Sequence, residues 1–195
     1  MVGPRPTSLP PVALADIAEA VGAVIAAAGD PAVSTSIDVT GVCLDSRRVL
    51  PGDLYAALPG TLTHGAKFLA GAIDRGAVAV LTDDAGERLA REAGIAIPMV
   101  VVADPRSVLG VVSARVYATA PAGLALVGIT GTNGKTTTAY LLDGALRALG
   151  RRTGLIGTVE TRVADEVIKS SRTTPGRRIC TPCWRRCVSV TWTPV

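Results

Sequence analysis

The sequence contains few aromatic residues. Phe, Tyr and Trp together make up 3% of the 195 residues, whereas 48% of the chain is hydrophobic. The core must therefore consist mainly of small aliphatic side chains such as Ala and Val, which is common in α/β proteins with close helix–sheet contacts. The scarcity of aromatic rings also argues against a protein that stacks nucleic-acid bases on its surface.

Long apolar segments are missing as well. No uninterrupted apolar run reaches the ~18 residues that a membrane-spanning helix requires. The first residues, MVGPRPTSLPPVAL, are interrupted by prolines and lack the continuous apolar stretch of a signal peptide. We therefore expect a cytoplasmic protein without membrane association, in which residues 1–11 form a flexible arm.

Cysteine, tryptophan and excess positive charge are rare in most of the chain and concentrated at its end. Residues 176–195 hold three of the four cysteines and both tryptophans. Four of the 20 basic residues and none of the 16 acidic ones lie there, so the rest of the chain carries 16 of each sign. The net charge of +4 belongs to this tail and does not indicate a nucleic-acid partner. Zinc requires four ligands, and the single histidine is distant in sequence from these cysteines, so we expect no metal site here.

The remaining sequence alternates between helix and strand patterns. Hydrophobic periodicity predicts helices over residues 11–28, 66–75, 83–93 and 107–118, and strands over 37–42, 54–60, 77–81 and 98–102. The segment TAPAG at residues 119–123 is typical of a linker. Such alternation predicts an α/β architecture, with one domain over residues 1–122 and a second that begins at residue 123.

The motif that organises the chain is LALVGITGTNGKTTT, at residues 124–138. It predicts a strand over residues 124–130, a glycine-rich turn and a helix over residues 136–149, followed by a strand over 154–160. Glycines let main-chain amides approach phosphate oxygens closely, and a helix N-terminus adds partial positive charge. Lys135 can reach the β- and γ-phosphates, and the Thr136 hydroxyl can ligate Mg²⁺.

This motif is a compact variant of the common phosphate-binding loop. The G-x-x-x-x-G-K-[ST] spacing would place its first glycine at position 129, where this chain has Ile129. The plain alternative is a glycine-rich turn with an incidental lysine. The flanking strand and helix patterns favour the phosphate site.

These residues resemble the Mur ligases, which build peptidoglycan peptides in the cytoplasm. GTNGKTTT is similar to their ATP site, and LDSRRVLPGDLYAALPG, followed by THGAKFLAGAIDRGAVAVL, is similar to their UDP-binding domain. The resemblance covers roughly residues 12–175. It implies a UDP-sugar-binding domain over residues 1–122, followed by the start of a P-loop, Rossmann-like ATP-binding domain over 123–175.

Within that family, GLIGTVE and the segment Arg172–Pro175 most resemble the members that add the third stem-peptide residue. The resemblance implies an ATP-dependent ligase, acting as a monomer, that joins an amino acid to UDP-MurNAc-L-Ala-D-Glu through an acyl phosphate. Lys135 would be catalytic and Thr136 would hold Mg²⁺. The residues implied for ATP are Gly131, Thr132, Asn133, Gly134, Lys135, Thr136 and Thr137. Those implied for the UDP-sugar dipeptide are Leu44, Ser46, His64, Gly65, Ala66, Thr173 and Thr174.

Simpler interpretations of several residues stay open. Ser46 is also consistent with a turn cap, His64 with a plain loop residue, and Thr173–Pro175 with a simple turn. Asp45, Arg47 and Arg48 fit a solvated charge cluster equally well. At the level of function, another Mur-type ligase, folylpolyglutamate synthase or a non-catalytic UDP-sugar-binding module remain alternatives.

The resemblance stops after Pro175. The family continues with an acidic Mg²⁺ ligand, a catalytic lysine and a C-terminal domain that binds the incoming amino acid. Residues 176–195 show no helical period, and one choice of GC-rich codons for them, read in a neighbouring frame, encodes a segment with the apolar spacing of an amphipathic helix. We interpret the chain as an N-terminal fragment with a frameshift-like, disordered tail, and expect it to be inactive by itself.

Overall fold

The computed structural model describes residues 9–26, 36–119, 125, 127–157, 159–163 and 166–169. Contacts within the chain divide it into two compact units, whose boundary lies between Ala118 and Thr119. The tail at residues 176–195, the predicted substrate residues Thr173 and Thr174, and residues 1–8 of the predicted arm lie outside the described part.

The first unit is built on a parallel sheet. Its elements in chain order are β1 Val12–Ala13, α1 Leu14–Ala20, β2 Val24–Ala26, β3 Asp38–Val39, β4 Gly41–Cys43, β5 Asp53–Ala56, α2 Leu69–Ile73, β6 Ala77–Thr82, α3 Asp84–Glu92, β7 Met99–Val101 and α4 Pro105–Val116. The five-stranded sheet has the order β2-β7-β6-β5-β4. Strands β4 to β7 are parallel, and β2 joins β7 in the antiparallel sense. Strands β1 and β3 form a separate antiparallel pair.

Both faces of this sheet are buried. Successive residues of a strand point to opposite faces, so Leu54 and Tyr55 on β5 enter different clusters. One cluster packs Leu54 against helices α1 and α4, including Ile17 and Val112. The other packs Tyr55 with residues of α2 and α3, including Leu69. Helices on both faces of a mainly parallel sheet confirm the predicted α/β class.

The predicted first helix is wrong in its second half. Helix α1 ends at Ala20, and Val24–Ala26 forms β2, which pairs with β7. Gly22 adopts a φ of 64°, in the left-handed region where a glycine commonly terminates a helix. The β-branched Val24 and Ile25 then fit a strand better than a helix. Leu9, within the predicted flexible arm, packs against the core.

The second unit contains α5 Lys135–Ala148, followed by β8 Gly154–Ile156, β9 Glu160–Val163 and β10 Glu166–Lys169. The three strands form an antiparallel sheet in the order β10-β9-β8. The predicted strand over 154–160 is therefore two strands, separated by a turn in which the Gly157 amide donates to the Glu160 carbonyl at 3.0 Å. Residues 127–130 of the predicted strand at 124–130 are not in a strand. A parallel strand needs a hydrogen-bonded neighbour, and the described part of this unit offers none to that segment.

Helix α3 begins in a tightly packed corner of the first unit. The carboxylate of Asp83 caps it by accepting a hydrogen bond from the Gly86 amide at 2.8 Å. A Cβ atom at Gly86 would lie 1.9 Å from Oγ1 of Thr82 and 2.7 Å from Cε1 of His64. Thr82 cannot turn away easily, because it is buried and its hydroxyl donates to the Ala57 carbonyl at 3.0 Å.

We expect Gly86→Ala to lower the free energy of unfolding by about 1–3 kcal/mol, the usual cost of overpacking a core. Urea denaturation measures this change. The matched control is Gly71→Ala in α2, where a new Cβ meets no atom within 4 Å. Since alanine favours helix over glycine by about 1 kcal/mol, the control should be neutral or stabilising. Equal stability of the two variants would contradict the crowding described for Gly86.

Candidate functional site

The glycine turn before α5 has the backbone that the motif predicts. Gly131 adopts a φ of 148° and Gly134 a φ of 77°. Gly134 is the N-cap residue of α5 and is in the left-handed conformation, which residues other than glycine rarely adopt. The main chain therefore reverses between these two glycines and enters the helix at Lys135.

The main-chain amides of this turn point to a binding site for an anion. The first intrahelical bond runs from the Thr138 amide to the Gly134 carbonyl at 2.9 Å. Within the described ranges, no protein atom accepts a hydrogen bond from the amides of residues 131–137. The first amides of a helix lack intrahelical acceptors and carry the positive end of the helix dipole. Together with the exposure of residues 131–134, this leaves a row of donors accessible to a phosphate group.

Lys135 adds a full positive charge to this row. Its Nζ donates hydrogen bonds to the carbonyl oxygens of Gly131 and of Thr132, the latter at 3.2 Å. The ammonium group is therefore folded back over the turn rather than extended into solvent. Thr136, the next helical residue, is half-buried. The structure thus brings together all seven residues predicted for ATP, 131–137.

A buried carboxylate fixes α5 to the neighbouring hairpin. The side chain of Asp143 is 7% exposed and pairs with the guanidinium of Arg162 on β9. Its other oxygen accepts from the Thr153 hydroxyl at 2.6 Å. The Arg147 Nε lies 3.4 Å from the Asp143 carboxylate, one turn along the helix. Sequence reasoning missed this network, whose visible signal is the i, i+4 spacing of Asp143 and Arg147.

In the first unit, the candidate residues gather at one edge of the sheet. Leu44 and Ser46 follow β4, the loop at residues 57–64 follows β5, Asp83 follows β6 and Asp104 follows β7. These strands are parallel, so their carboxyl ends lie on the same side. Ligands of parallel α/β sheets bind at this edge, where loops supply polar groups.

Protein atoms already occupy both ring nitrogens of His64. The Ala66 amide donates to Nδ1 at 3.0 Å, so the proton resides on Nε2, which donates to the Asp83 carboxylate at 3.0 Å. His64 therefore ties the start of the 3₁₀ helix Gly65–Phe68 to the start of α3. Metal ligation by this ring is excluded as long as these two bonds persist. No group of three or more His, Cys, Asp or Glu residues in the described part of the chain is arranged to hold a metal ion.

The segment after β4 is held by a local ion pair. The Asp45 carboxylate caps the 3₁₀ helix Ser46–Arg48 through the Arg47 amide and accepts two further bonds from the Arg47 guanidinium, at 3.0 and 3.1 Å. Arg47 accordingly holds the pKa of Asp45 below its usual value. The cap residue is thus Asp45, not Ser46. Leu44 packs, partly buried, on the core, and Ser46 is partly exposed.

Tyr55 holds the second of the two predicted substrate segments. Its hydroxyl donates to the Gly65 carbonyl at 3.0 Å. Tyr55 is 2% exposed, and its burial raises the pKa of the phenol to about 12. The sequence motif did not single out this residue, because an aromatic position in a buried strand looks like ordinary core.

Comparisons with known proteins match both units. Residues 38–117 match the family described as "Mur ligase family, catalytic domain", and residues 129–179 match "Mur ligase middle domain". The chain is 50% identical over 172 residues to a UDP-N-acetylmuramoyl-L-alanyl-D-glutamate–2,6-diaminopimelate ligase of Streptomyces coelicolor. This match covers 88% of this chain and 32% of the relative. A UDP-N-acetylmuramyl-tripeptide synthetase of Leifsonia xyli is 46% identical over 139 residues, covering 71% and 27%.

Solved structures agree on the fold. A UDP-N-acetylmuramoyl-L-alanyl-D-glutamate–2,6-diaminopimelate ligase superposes with a TM-score of 0.57 at 23% identity, covering 78% of this chain and 30% of that one. The chain thus spans about one third of the length of the curated relatives it matches. Within the described residues, no helix combines the length and apolar character needed to cross a bilayer.

The pKa of Tyr55 predicts a loss of stability at high pH. The unfolded chain releases this proton near pH 10, whereas the folded protein keeps it until about pH 12. Between these values the folded state binds more protons, so the free energy of unfolding falls as pH rises, by at most about 1.4 kcal/mol per pH unit from this group. Below pH 10 the contribution is fully present.

Urea denaturation over about pH 8–11, a range that spans the pKa of the phenol in the unfolded chain, tests this expectation, with Tyr55→Phe as the comparison. The variant lacks the titrating group, so its stability should decline less steeply above pH 10 than that of the unchanged protein. Parallel curves for the two proteins would contradict the raised pKa.

Proposed function

Since this chain belongs to the Mur ligase family, we propose that it supplies the nucleotide-sugar-binding domain and the ATP-phosphate-binding segment of a ligase that extends UDP-MurNAc-L-Ala-D-Glu. The added group would be the third residue of the stem peptide. Support comes from the match of both units to family domains in the same order. The names of relatives at 50% and 46% identity point to the same reaction.

The observation that carries this proposal is the row of amides between Gly131 and Thr137, from which no atom in the described part of the chain accepts a hydrogen bond. A triphosphate fits there, because the donors, the helix dipole and the Lys135 ammonium all favour negative charge. ATP would supply the phosphoryl group that turns the substrate carboxylate into an acyl phosphate. The chain's own residues orient the phosphates and offset charge that develops on them.

Thr136 is the residue proposed to hold Mg²⁺. It begins the helix beside the phosphate-binding amides, and its hydroxyl is a hard oxygen ligand of the kind that Mg²⁺ prefers.

In the first unit, we propose that Leu44 and Ser46 contact the UDP-sugar directly. We propose that His64, Gly65 and Ala66 support the site without contacting the ligand through these groups, because their polar groups are already hydrogen-bonded to other protein atoms. The Gly65 amide donates to the Leu58 carbonyl at 2.9 Å, the Ala66 amide is bound to His64, and the His64 ring is bound to Asp83. The loop at residues 60–63, exposed beside them, is the surface they present to a ligand. Thr173 and Thr174 are proposed for the dipeptide on the resemblance alone.

The proposed incoming amino acid is 2,6-diaminopimelate, because the Streptomyces relative at 50% identity carries that name. We further propose that the protein works in the cytoplasm as a monomer. The rival function is a binding module that holds the nucleotide sugar without turnover.

Nucleotide binding tests the central claim. We expect Lys135→Ala to weaken binding of Mg²⁺–ATP by about 10- to 100-fold, because one charge-assisted contact to phosphate is lost. Fluorescence titration with an ATP analogue measures the affinity. The matched control is Arg151→Ala, which removes a positive charge after the far end of the same helix and should leave the affinity unchanged.

Calorimetry with different ligands separates the rival functions. Binding of UDP-MurNAc-L-Ala-D-Glu, but not of the corresponding tripeptide or of a folate, supports the third-residue ligase. Lys135→Ala should not alter that affinity, because Lys135 is proposed for the ATP phosphates and is not among the residues proposed for the UDP-sugar dipeptide. Equal ATP affinity for Lys135→Ala and Arg151→Ala would contradict the phosphate site.

A further inference from the structure

We propose that Arg106 is a positioning residue for the nucleotide sugar, which holds the loop at residues 57–64 in place at the carboxyl edge of the sheet. This inference rests on the proposed function of the first unit, in which residues 60–63 of that loop face the ligand. Arg106 acts on the ligand through the main chain of Pro59.

The loop is closed at its own base. Pro59 and His64 pair as an isolated antiparallel bridge. A Cβ atom at Gly60 would lie 2.6 Å from the Thr63 carbonyl oxygen, so the chain between the bridge partners is tightly turned. Contacts made at the base therefore determine where the exposed residues 60–63 lie.

Side chains tie the two sides of this base to two different helices. On one side, the His64 ring donates to the Asp83 carboxylate at 3.0 Å, at the start of α3. On the other side, Nη2 of Arg106, near the start of α4, donates to the Pro59 carbonyl at 3.2 Å. Arg106 is thus the tie on the Pro59 side of the loop.

The bond from Arg106 reaches across the edge of the sheet. The loop follows β5 and Arg106 follows β7, and β6 lies between these two strands. A bond from the end of β7 to Pro59 therefore draws the loop over the end of β6. Ligands of parallel α/β sheets bind at this edge, so the position of the loop shapes the candidate site.

The main chain of Arg106 is itself firmly held. Arg106 is the second residue of α4, after the buried Pro105, whose ring pre-sets the backbone of the first helical turn. Its amide donates to the capping carboxylate of Asp104 at 3.0 Å. Leu109 and Val112 of the same helix pack in the core. The loop is therefore tied to a rigid element.

Loss of this tie should cost affinity for the nucleotide sugar. A ligand that meets a loop already in place does not have to order it, and Arg106→Ala returns that ordering cost to the binding step. The net effect of one hydrogen bond corresponds to roughly a 2- to 12-fold change in an equilibrium constant. We expect Arg106→Ala to weaken binding by a factor in this range.

Arg115→Ala is the matched control. Arg115 lies in the same helix, is also exposed, and donates from its own Nη2 to the Asp16 carboxylate at 3.1 Å. The control removes the same side chain and the same charge, but the contact that it breaks ties α4 to α1 and not to the loop. A general weakening of α4 should therefore appear in both variants.

Calorimetric titration of the 195-residue chain and both variants with UDP-MurNAc-L-Ala-D-Glu measures the affinity, at about 0.05 and 0.5 M salt. The expected result is weaker binding by Arg106→Ala alone, by a similar factor at both salt concentrations. Salt screens any direct attraction between the guanidinium and the phosphates of the ligand, but it leaves a short bond to a neutral carbonyl largely intact.

Limited proteolysis reports on the loop without any ligand. Leu62 is 98% exposed in the loop, and chymotrypsin cleaves after leucine. Cleavage requires a locally opened chain, so its rate follows the population of the released loop. Mass spectrometry of the fragments should show faster cleavage after Leu62 in Arg106→Ala and an unchanged rate in Arg115→Ala.

The possible failures are distinguishable. If the unchanged chain binds and Arg106→Ala binds equally well, the positioning role is overturned and the proposed function stands. Equal weakening in the two variants, a weakening that disappears at high salt, or an unchanged rate of cleavage after Leu62 in Arg106→Ala also overturns it. If the unchanged chain does not bind, the proposed function itself is overturned, and this inference with it.

Discussion

The left-handed backbone at Gly134 is the constraint on which the proposed phosphate site depends. A φ of 77° lets the main chain turn directly from an exposed loop into α5 without a side-chain cap. A residue with a Cβ would resist this conformation by about 1–2 kcal/mol. Because no side chain caps the helix, its first amides keep their hydrogen-bonding capacity for a ligand. The left-handed conformation that makes the helix start costly thus also leaves its first amides accessible to the ligand that we propose.

The positive charge of Lys135 is held close to the turn by hydrogen bonds to the main chain. The ammonium donates to two carbonyl oxygens of the loop that it follows, those of Gly131 and Thr132. These bonds hold the loop curled and keep the charge close to the amides. A phosphate group that approaches the amides meets a cation already in place, so little rearrangement is required. Asp143 completes the arrangement from the other side, since its pairing with Arg162 holds α5 against the hairpin.

The sequence predicted correctly those parts of the molecule whose conformation depends on a few neighbouring residues. The glycine turn at residues 131–134 and the start of α5 each follow from a few neighbouring residues, and the structure has both. The prediction of one helix over residues 11–28 was wrong because an apolar run fits helix and strand alike. Residues 24–26 become strand β2 because they pair with β7. The predicted strand over residues 124–130 was wrong at residues 127–130. There the sequence has a strand pattern, but a strand without a hydrogen-bonded neighbour does not form a sheet.

In the candidate sugar site, too, neighbouring residues determine some features and tertiary contacts determine others. The motif marked His64 as a binding residue, but which atoms a ring presents to a ligand depends on what surrounds it. Here Asp83, distant in sequence, takes one ring nitrogen, and Ala66 takes the other. Conversely, Tyr55 looks like ordinary core until the fold places the Gly65 carbonyl at its hydroxyl. A motif therefore locates a site, whereas tertiary contacts decide which of its residues face the ligand and which hold the others in place.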